Sequence, residues 1–375
     1  MLVARFNVSM ALSRLAVLLL LLLTATTRAG EIESRNVYWV GHSLVSAVDP
    51  FEPGGNLSLI ENVRALAESS GRRYDAHKHT TPGAPLGWNW GVADSYAGIR
   101  ELIQPLVNEE HPKYGSFDAM VVTEGVDITS SAEWWASSFY ARRFFVAARR
   151  ANPDCRLYLY ESWHHYFGSD DNFRRQYGPM ETFDFMSYQK QVAPVWRKIA
   201  EDAADPARTA TVDGYVYQGP GDDPGESDER LDIRVIPTGT VLVKVLERLA
   251  ERRPGDDWSY GSAARGQTLS PIDFFSNPYV DFPADRETLA HRKADLLPGF
   301  EWAGGDVLDD IHPSHLLIHL NALVHFAVLY EADPRDTKPA NAVPANLHRL
   351  FAEIVHQSVN EAVATRNAAA ESDRP

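Results

Sequence analysis

The sequence predicts an α/β fold, a three-layer α/β/α sandwich in which a mostly parallel, five-stranded sheet lies between two layers of helices. Short apolar, β-prone runs alternate along the chain with longer segments of helical periodicity, which is the pattern of a parallel sheet covered on both faces. The length of 375 residues is also acceptable for one α/β domain that carries insertions.

Each element is recognised by its apolar spacing. The predicted strands are short and β-prone, at 36–40, 73–77, 119–123, 156–160 and 233–236. The predicted helices carry apolar residues on one face, at 57–69, 96–109, 133–150, 185–203, 241–251, 316–330 and 347–364. The alternation of these elements supports a single sheet with helices on both sides.

Residues 1–29 have the features of a secretory signal peptide. Arg5 and Arg14 precede an apolar core at 15–23, and small residues flank a cleavage site at Ala29. The core is too short to span a bilayer. We therefore expect a secreted or periplasmic protein with no stable membrane insertion after cleavage. An uncleaved N-terminal anchor is the alternative, because Arg28 lies close to the cut.

The remainder, residues 30–375, is predicted to be a single domain with a long insertion at 252–306. The insertion contains too many aromatic residues to be disordered, among them Trp258, Phe274 and Trp302. It directly precedes the last motif of the chain. We expect an ordered wall beside the functional site, and a distal decoration is the alternative.

Charge and cysteine content exclude several classes of protein. The formal net charge is −15 at pH 7, which argues against a nucleic acid or an anionic membrane as partner. Cys155 is the single cysteine, so the chain cannot form an intrachain disulfide. Because Cys155 lies beside a predicted strand, a buried and inert thiol is expected.

Two motifs carry the chemistry. Ser43 follows the first predicted strand, at the end of the sheet where open α/β folds place their reactive groups. A serine hydroxyl needs a histidine as base and a carboxylate that orients the histidine. Asp309 lies one turn before His312 near the C-terminus, so one loop can supply both. The alternative is a helix-capping serine and a surface Asp-His pair.

The motifs Gly41-His42-Ser43-Leu44 and Asp309-Asp310-Ile311-His312 resemble the first and last blocks of the SGNH (GDSL-like) hydrolase family, in the family's order. The resemblance implies a flavodoxin-like SGNH hydrolase fold. It also implies Ser43 as nucleophile, His312 as base, Asp309 as the orienting carboxylate and no cofactor.

The oxyanion donors are only partly matched. The Ser43 N–H is one expected donor, and Gly83, in a Pro-Gly segment after the second strand, matches the family's second block, although a simple turn also explains that glycine. The third block normally contains Gly-x-Asn-Asp, but this chain has Glu124 and no asparagine there. Asn89 is the predicted substitute, with a structural role as the alternative.

Other residues at the predicted strand ends are candidates for substrate binding. They are Trp88, Trp90, Glu124, Trp163 and His164. Glu124 is expected to fix either a loop or a sugar hydroxyl, whereas Trp134 and Trp135 are expected in the interhelical core. The histidines show none of the common metal-ligand spacings, so no catalytic metal is predicted.

These features together predict a secreted serine esterase that removes small acyl groups, acetyl above all, from a carbohydrate. Its partner would be a small-molecule or polysaccharide ester. Two alternatives remain open: an acyltransferase that uses the same acyl-enzyme, and a polysaccharide-binding protein that has lost turnover. The missing third-block asparagine favours the binding protein, and the intact Ser43, Asp309 and His312 favour an enzyme.

Overall fold

The computed structural model describes residues 33–48, 57–92, 117–125, 127–166, 184–209, 227–260, 267–269, 271–275, 311–340 and 342–372. Its strands form a parallel sheet and are β1 Ser34–Gly41, β2 Arg73–Thr80, β3 Ala119–Val122, β4 Arg156–Tyr160 and β5 Ile233–Ile236. The strand order is β2-β1-β3-β4-β5. This is the doubly wound, flavodoxin-like order, so the predicted fold class is confirmed.

Helices connect and cover the strands. They are α1 Ser43–Ser46, α2 Leu59–Ser69, α3 Leu86–Val92, α4 Ile128–Trp134, α5 Ser137–Ala151, α6 Phe185–Ala204, α7 Pro206–Thr209, α8 Thr238–Glu251, α9 His315–Tyr330 and α10 Ala345–Ser372. The predicted helix at 133–150 is interrupted at Ala136, whose φ of 51° is left-handed and cannot continue a helix. The predicted helix at 96–109 lies outside the described residues.

The sheet divides the core into two layers. Val37 and Trp39 of β1 contribute to one buried cluster, and Tyr38 and Val40 contribute to the other, because successive strand residues face opposite sides. Residues of α2, α8, α9 and α10 complete the first cluster, and residues of α5 and α6 dominate the second. Helix α9 is apolar almost all round because it packs against both α2 and α10.

The described part of the insertion packs against the chain near His312. Strands β6 (Ser259–Tyr260) and β7 (Gln267–Thr268) pair antiparallel. Beyond them, the backbone N–H of Ser314 donates to the carbonyl of Phe274 at 3.0 Å, and Phe275 forms a β-bridge with Pro313. Both phenylalanines are buried. The segment at 276–310, which includes Trp302, lies outside the described residues.

Two smaller expectations concern export and the thiol. None of the helices in the described ranges is long and apolar enough to cross a bilayer. The predicted signal peptide at 1–29 lies outside those ranges. Cys155 is fully buried, and burial raises the pKa of its thiol to about 12, which agrees with an inert side chain.

Candidate active site

Ser43 lies at the carboxyl end of the central part of the sheet. It is the first residue of α1, is half-buried, and follows β1 with only His42 between. Strand β1 pairs with β2 on one side and with β3 on the other, so its carboxyl end is the topological switch point of the sheet. Open α/β sheets place their ligands there.

Gly41 allows the end of β1 to approach the loop after β3. A Cβ at this position would lie 2.5 Å from Thr123 Cγ2 and 3.1 Å from Val45 Cγ2. Any side chain would therefore push the loop that carries Ser43 away from Thr123. The glycine of the first motif is needed for this close approach.

His312 lies at the same edge. It is half-buried in the segment before α9, and it is close enough to His42 for its charge to help lower the pKa of His42. The carbonyl of Ile311, the preceding residue, accepts a 2.8 Å hydrogen bond from the indole of Trp163 at the end of β4. Asp309 and Asp310 lie outside the described residues.

His42 joins the loop after β1 to the loop after β3. Its Nδ1 accepts a hydrogen bond from the Leu44 N–H at 3.4 Å, and its Nε2 donates to the backbone carbonyl of Glu124 at 2.8 Å. These two contacts define one neutral tautomer. Burial lowers the pKa of His42 to about 4, so the ring stays neutral at physiological pH.

Glu124, which lies in the segment after β3 that corresponds to the third block, is fully buried. Its Oε1 accepts hydrogen bonds from the backbone N–H of Leu86 at 2.9 Å and from that of Gly125 at 2.7 Å. Burial raises the pKa of this carboxyl to about 7, although these donors oppose the rise. Of the two predicted roles, the contacts favour fixing a loop over binding a sugar hydroxyl.

Asn89 is also fully buried, and its amide faces backbone carbonyls. Nδ2 lies 3.1 Å from the carbonyl oxygen of Gly41, with longer contacts of 3.5 Å to Ala84 and 3.4 Å to Pro85. Because the amide N–H groups are engaged in this way, the geometry favours positioning of the first loop over direct donation to an oxyanion.

Gly83 lies in a tight turn after β2. The Ala84 N–H donates to the carbonyl of Thr81 at 3.1 Å, Pro82 is the second residue of the turn, and Gly83 is the third, with a φ of 68°. This is the glycine position of a type II turn. A Cβ at Gly83 would meet nothing within 4 Å, so the backbone conformation alone accounts for the glycine. Its role as an oxyanion donor stays a prediction.

The predicted substrate-binding aromatic residues differ in exposure. Trp88 is 43% exposed, whereas Trp163 and His164 are buried. Trp90 is half-buried, and its ring packs edge-on against Phe144 at 4.9 Å. Only Trp88 of this group therefore presents a large indole surface to solvent, and Trp163 and His164 pack against protein because they lie on the inner side of the loop after β4.

The expectation for Trp134 was wrong. It is 61% exposed rather than part of the interhelical core. Helix α4 buries Ile128 and Ser131, and at 3.6 residues per turn Trp135 continues that face more closely than Trp134 does. Trp135 is half-buried, in agreement with this geometry.

The strand order, the position of Ser43 at the switch point and the location of His312 near His42 agree with the motifs at both ends of the chain. The chain is SGNH-like in fold. Its third block diverges, since Gly125-Val126-Asp127 has an aspartate where the family has a donor asparagine.

Three solved structures are similar to this SGNH-like chain. A DUF4886 family protein from Bacteroides uniformis is 11% identical with a TM-score of 0.47, over 87% of this chain and 95% of that one. A GDSL-like lipase from Parabacteroides merdae is 11% identical with a TM-score of 0.38, over 80% and 96%. A catalytic mutant of the acetylxylan esterase Axe2 from Geobacillus stearothermophilus is 14% identical with a TM-score of 0.28, over 48% and 80%. No protein-family model and no curated protein matches the sequence.

One buried pair near the carboxyl ends of β3 and β4 was not predicted. Asp127 adopts a left-handed conformation with φ 64° and caps α4 through its contacts with Thr129 and Ser130. His164 Nε2 lies 3.8 Å from its carboxylate. The nearby imidazole and the hydrogen bonds from Ser130 and Thr129 hold the pKa of Asp127 well below its usual range despite burial. The spacing Gly125-x-Asp127, which matches the family's Gly-x-Asn, was the available signal.

Proposed function

We propose that this chain is a secreted serine esterase that removes small acyl groups, acetyl above all, from a carbohydrate. The observation that supports the proposal is that Ser43 follows β1 at the switch point of the sheet, while His312 lies near enough to the adjacent His42 to help lower its pKa. A hydrogen bond from Trp163 holds the segment of His312. The predicted signal peptide at 1–29 is the basis for secretion.

The proposed mechanism uses an acyl-enzyme. His312 removes the proton from Ser43 Oγ as it attacks the ester carbonyl, and the tetrahedral oxyanion is held by the N–H groups of Ser43 and Gly83. His312 then protonates the leaving alcohol. Water, activated by the same imidazole, releases the acid and regenerates Ser43. Asp309 would hold the His312 tautomer throughout.

The substrate class follows from the surroundings of the proposed nucleophile. The sequence near Gly83 contains no long apolar stretch to hold a fatty chain, which favours a small acyl group. The exposed indole of Trp88, five residues beyond Gly83, offers a flat surface on which a sugar ring can stack. The negative net charge favours a neutral carbohydrate over a polyanionic one.

A non-catalytic polysaccharide-binding protein is the second candidate, and one observation favours it. Glu124 and Asn89 are both committed to backbone groups, so neither supplies the side-chain amide donor of the family's third block. An acyltransferase would share the same acyl-enzyme but would pass the acyl group to a sugar hydroxyl. Product analysis with and without an acceptor sugar separates transfer from hydrolysis.

The test is covalent labelling combined with turnover. The purified protein is expected to react with a fluorophosphonate probe at Ser43 and to hydrolyse p-nitrophenyl acetate faster than longer acyl esters. Ser43→Ala should abolish both activities and leave the fold unchanged. Equal turnover by the wild type and Ser43→Ala would exclude the serine mechanism, and absence of both labelling and turnover in the wild type would favour the binding protein.

A further inference from the structure

Three buried side chains connect the loops that follow β1, β2 and β3 into a closed cycle. The first loop, at His42, is bonded to the third through His42 Nε2 and the carbonyl of Glu124. The third loop is bonded to the second through Glu124 Oε1 and the N–H of Leu86. The second segment returns to the first through Asn89 Nδ2 and the carbonyl of Gly41.

All three side chains, which we call the loop clamp, are at most 1% exposed. Inside the protein each unmade hydrogen bond leaves a buried polar group unsatisfied, which costs more than a typical bond contributes. The cycle is therefore cooperative. Loss of one bond weakens the placement of all three loops, because each loop is held by the other two.

The clamp acts on the backbone that carries the proposed chemistry. The carbonyl oxygen of Gly41 accepts two hydrogen bonds of 3.1 Å, one from Asn89 Nδ2 and one from the N–H of Thr81. Thr81 begins the turn that contains Gly83. His42 Nδ1 accepts the N–H of Leu44, one residue beyond the nucleophile. The clamp thus contacts the residues on either side of Ser43, and Gly41 O is bonded both to the clamp and to the turn that contains Gly83.

We propose that His42, Glu124 and Asn89 are positioning residues that hold the Ser43 loop and the Gly83 turn in register, in place of the donor amide that the third block lacks. This inference rests on the proposed esterase function. Oriented backbone donors need no reorganisation during the reaction, and a displacement of about 1 Å can reduce the rate on the order of 100-fold. A stiff clamp around two backbone donors is therefore a physical substitute for a third donor.

His42→Asn and Asn89→Leu are the decisive variants. Asparagine retains an acceptor for the Leu44 N–H but is too short to reach the Glu124 carbonyl. Leucine keeps the branching of the Asn89 side chain without its donor. Each variant should lower kcat for p-nitrophenyl acetate about 10- to 100-fold with KM changed less than about 2-fold. The double variant should lose less than the product of the two effects, because both act through one cycle.

Tyr74→Phe is the matched control. It removes a buried 2.8 Å hydrogen bond from the Trp39 indole to the hydroxyl of Tyr74, which lies near the amino end of β2, away from the carboxyl ends of the strands. This change should lower thermal stability without changing kcat. Circular dichroism and melting establish that each variant is folded at the assay temperature. If Asn89→Leu does not fold, Asn89→Ser, which is too short to reach Gly41 O, takes its place.

Hydrogen exchange tests the clamp independently of catalysis. His42→Asn alters hydrogen bonds of the first and third loops only, yet it should accelerate exchange of the amides of Thr81, Gly83 and Ala84 in the second loop several-fold. Tyr74→Phe should not change the exchange of these amides. This result supports the clamp even if the wild type proves inactive towards esters. The proposal would be overturned if Thr81, Gly83 and Ala84 exchanged at the wild-type rate in His42→Asn. It would also be overturned if folded His42→Asn and Asn89→Leu kept the wild-type kcat while Ser43 of the wild-type enzyme was labelled by the probe.

Discussion

The indole Nε1 of Trp163 donates a 2.8 Å hydrogen bond to the backbone carbonyl of Ile311, 148 positions later in the chain. Trp163 follows β4, and Ile311 precedes the proposed base His312. The bond attaches the segment of the base to the carboxyl edge of the sheet. From the sequence, Trp163 is expected to contact substrate. It is 1% exposed, and its indole is bonded to the Ile311 carbonyl instead.

Trp163→Phe should therefore impair the placement of His312. The phenylalanine keeps most of the buried ring and loses the donor, so we expect kcat to fall on the order of 10-fold with little change in KM. Trp196→Phe, which shortens another buried tryptophan on α6, is the control and should leave kcat unchanged. Equal kcat for wild type and a folded Trp163→Phe would contradict this role.

Gly41→Ala should destabilise the protein because its new Cβ would lie 2.5 Å from Thr123 Cγ2. We expect a loss of about 1–3 kcal/mol in the free energy of unfolding, measured by urea denaturation. Thr123→Ser removes that methyl group and retains the hydroxyl that donates to the Tyr160 carbonyl at 3.0 Å. The double variant should recover part of the loss. If the losses in the free energy of unfolding from the two changes were additive, the Thr123 methyl group would not be the source of the destabilisation.

The stability of the protein should respond to pH through Glu161. This carboxyl is fully buried and accepts hydrogen bonds from Thr240 N and Oγ1, and burial raises its pKa from 4.5 to about 7. Between these values the native state holds a proton that the unfolded state has lost. Its contribution to the free energy of unfolding is therefore fully present below pH 4.5 and declines by about 3 kcal/mol as pH rises to 7.

Glu161→Gln should remove that decline, and the difference between variant and wild type isolates it. The profile of the variant must be subtracted from that of the wild type because His42 changes the stability in the opposite direction. Its lowered pKa means that its contribution to the free energy of unfolding is lost as pH falls from 6.5 towards 4. Urea denaturation from pH 4.5 to 7.5 is the measurement. Parallel pH profiles for Glu161→Gln and wild type would show that Glu161 titrates normally.

Trp88→Ala should weaken recognition of an acylated carbohydrate without affecting the reaction centre. We expect KM for an acetylated oligosaccharide to rise several-fold while kcat for p-nitrophenyl acetate stays constant. Trp134→Ala, which removes an even more exposed indole from the end of α4, is the control. An equal rise in KM for both variants would contradict a specific role of Trp88, because any exposed tryptophan would then have the same effect wherever it lies.

Asp309→Asn should lower kcat severely with little effect on folding, because the His312 tautomer would be lost. Asp310→Asn should have a mild effect, since Asp310 stands where the family often has glycine. Steady-state kinetics on the two variants compares them directly. A larger loss in Asp310→Asn would place the orienting carboxylate one residue later than predicted.

The five strands were predictable because each is a short apolar run, and the long helices were predictable because their buried faces repeat at helical spacing. Helix α3 was not predicted. Its sequence contains Gly87 and two tryptophans, and it begins where Glu124 from a distant loop accepts the Leu86 N–H. A contact of that range leaves no periodic signal in the local sequence.

The sequence by itself determined the fold class and the identity of the proposed nucleophile and base, since hydrophobic periodicity and short motifs are local properties. Only the tertiary structure decided what His42, Asn89, Glu124 and Trp163 do. Each is a polar or amphipathic side chain that could face solvent or the interior, and the sequence does not distinguish the two. Burial next to unpaired backbone groups commits all four to hydrogen bonds between loops, because a buried polar group must find a partner.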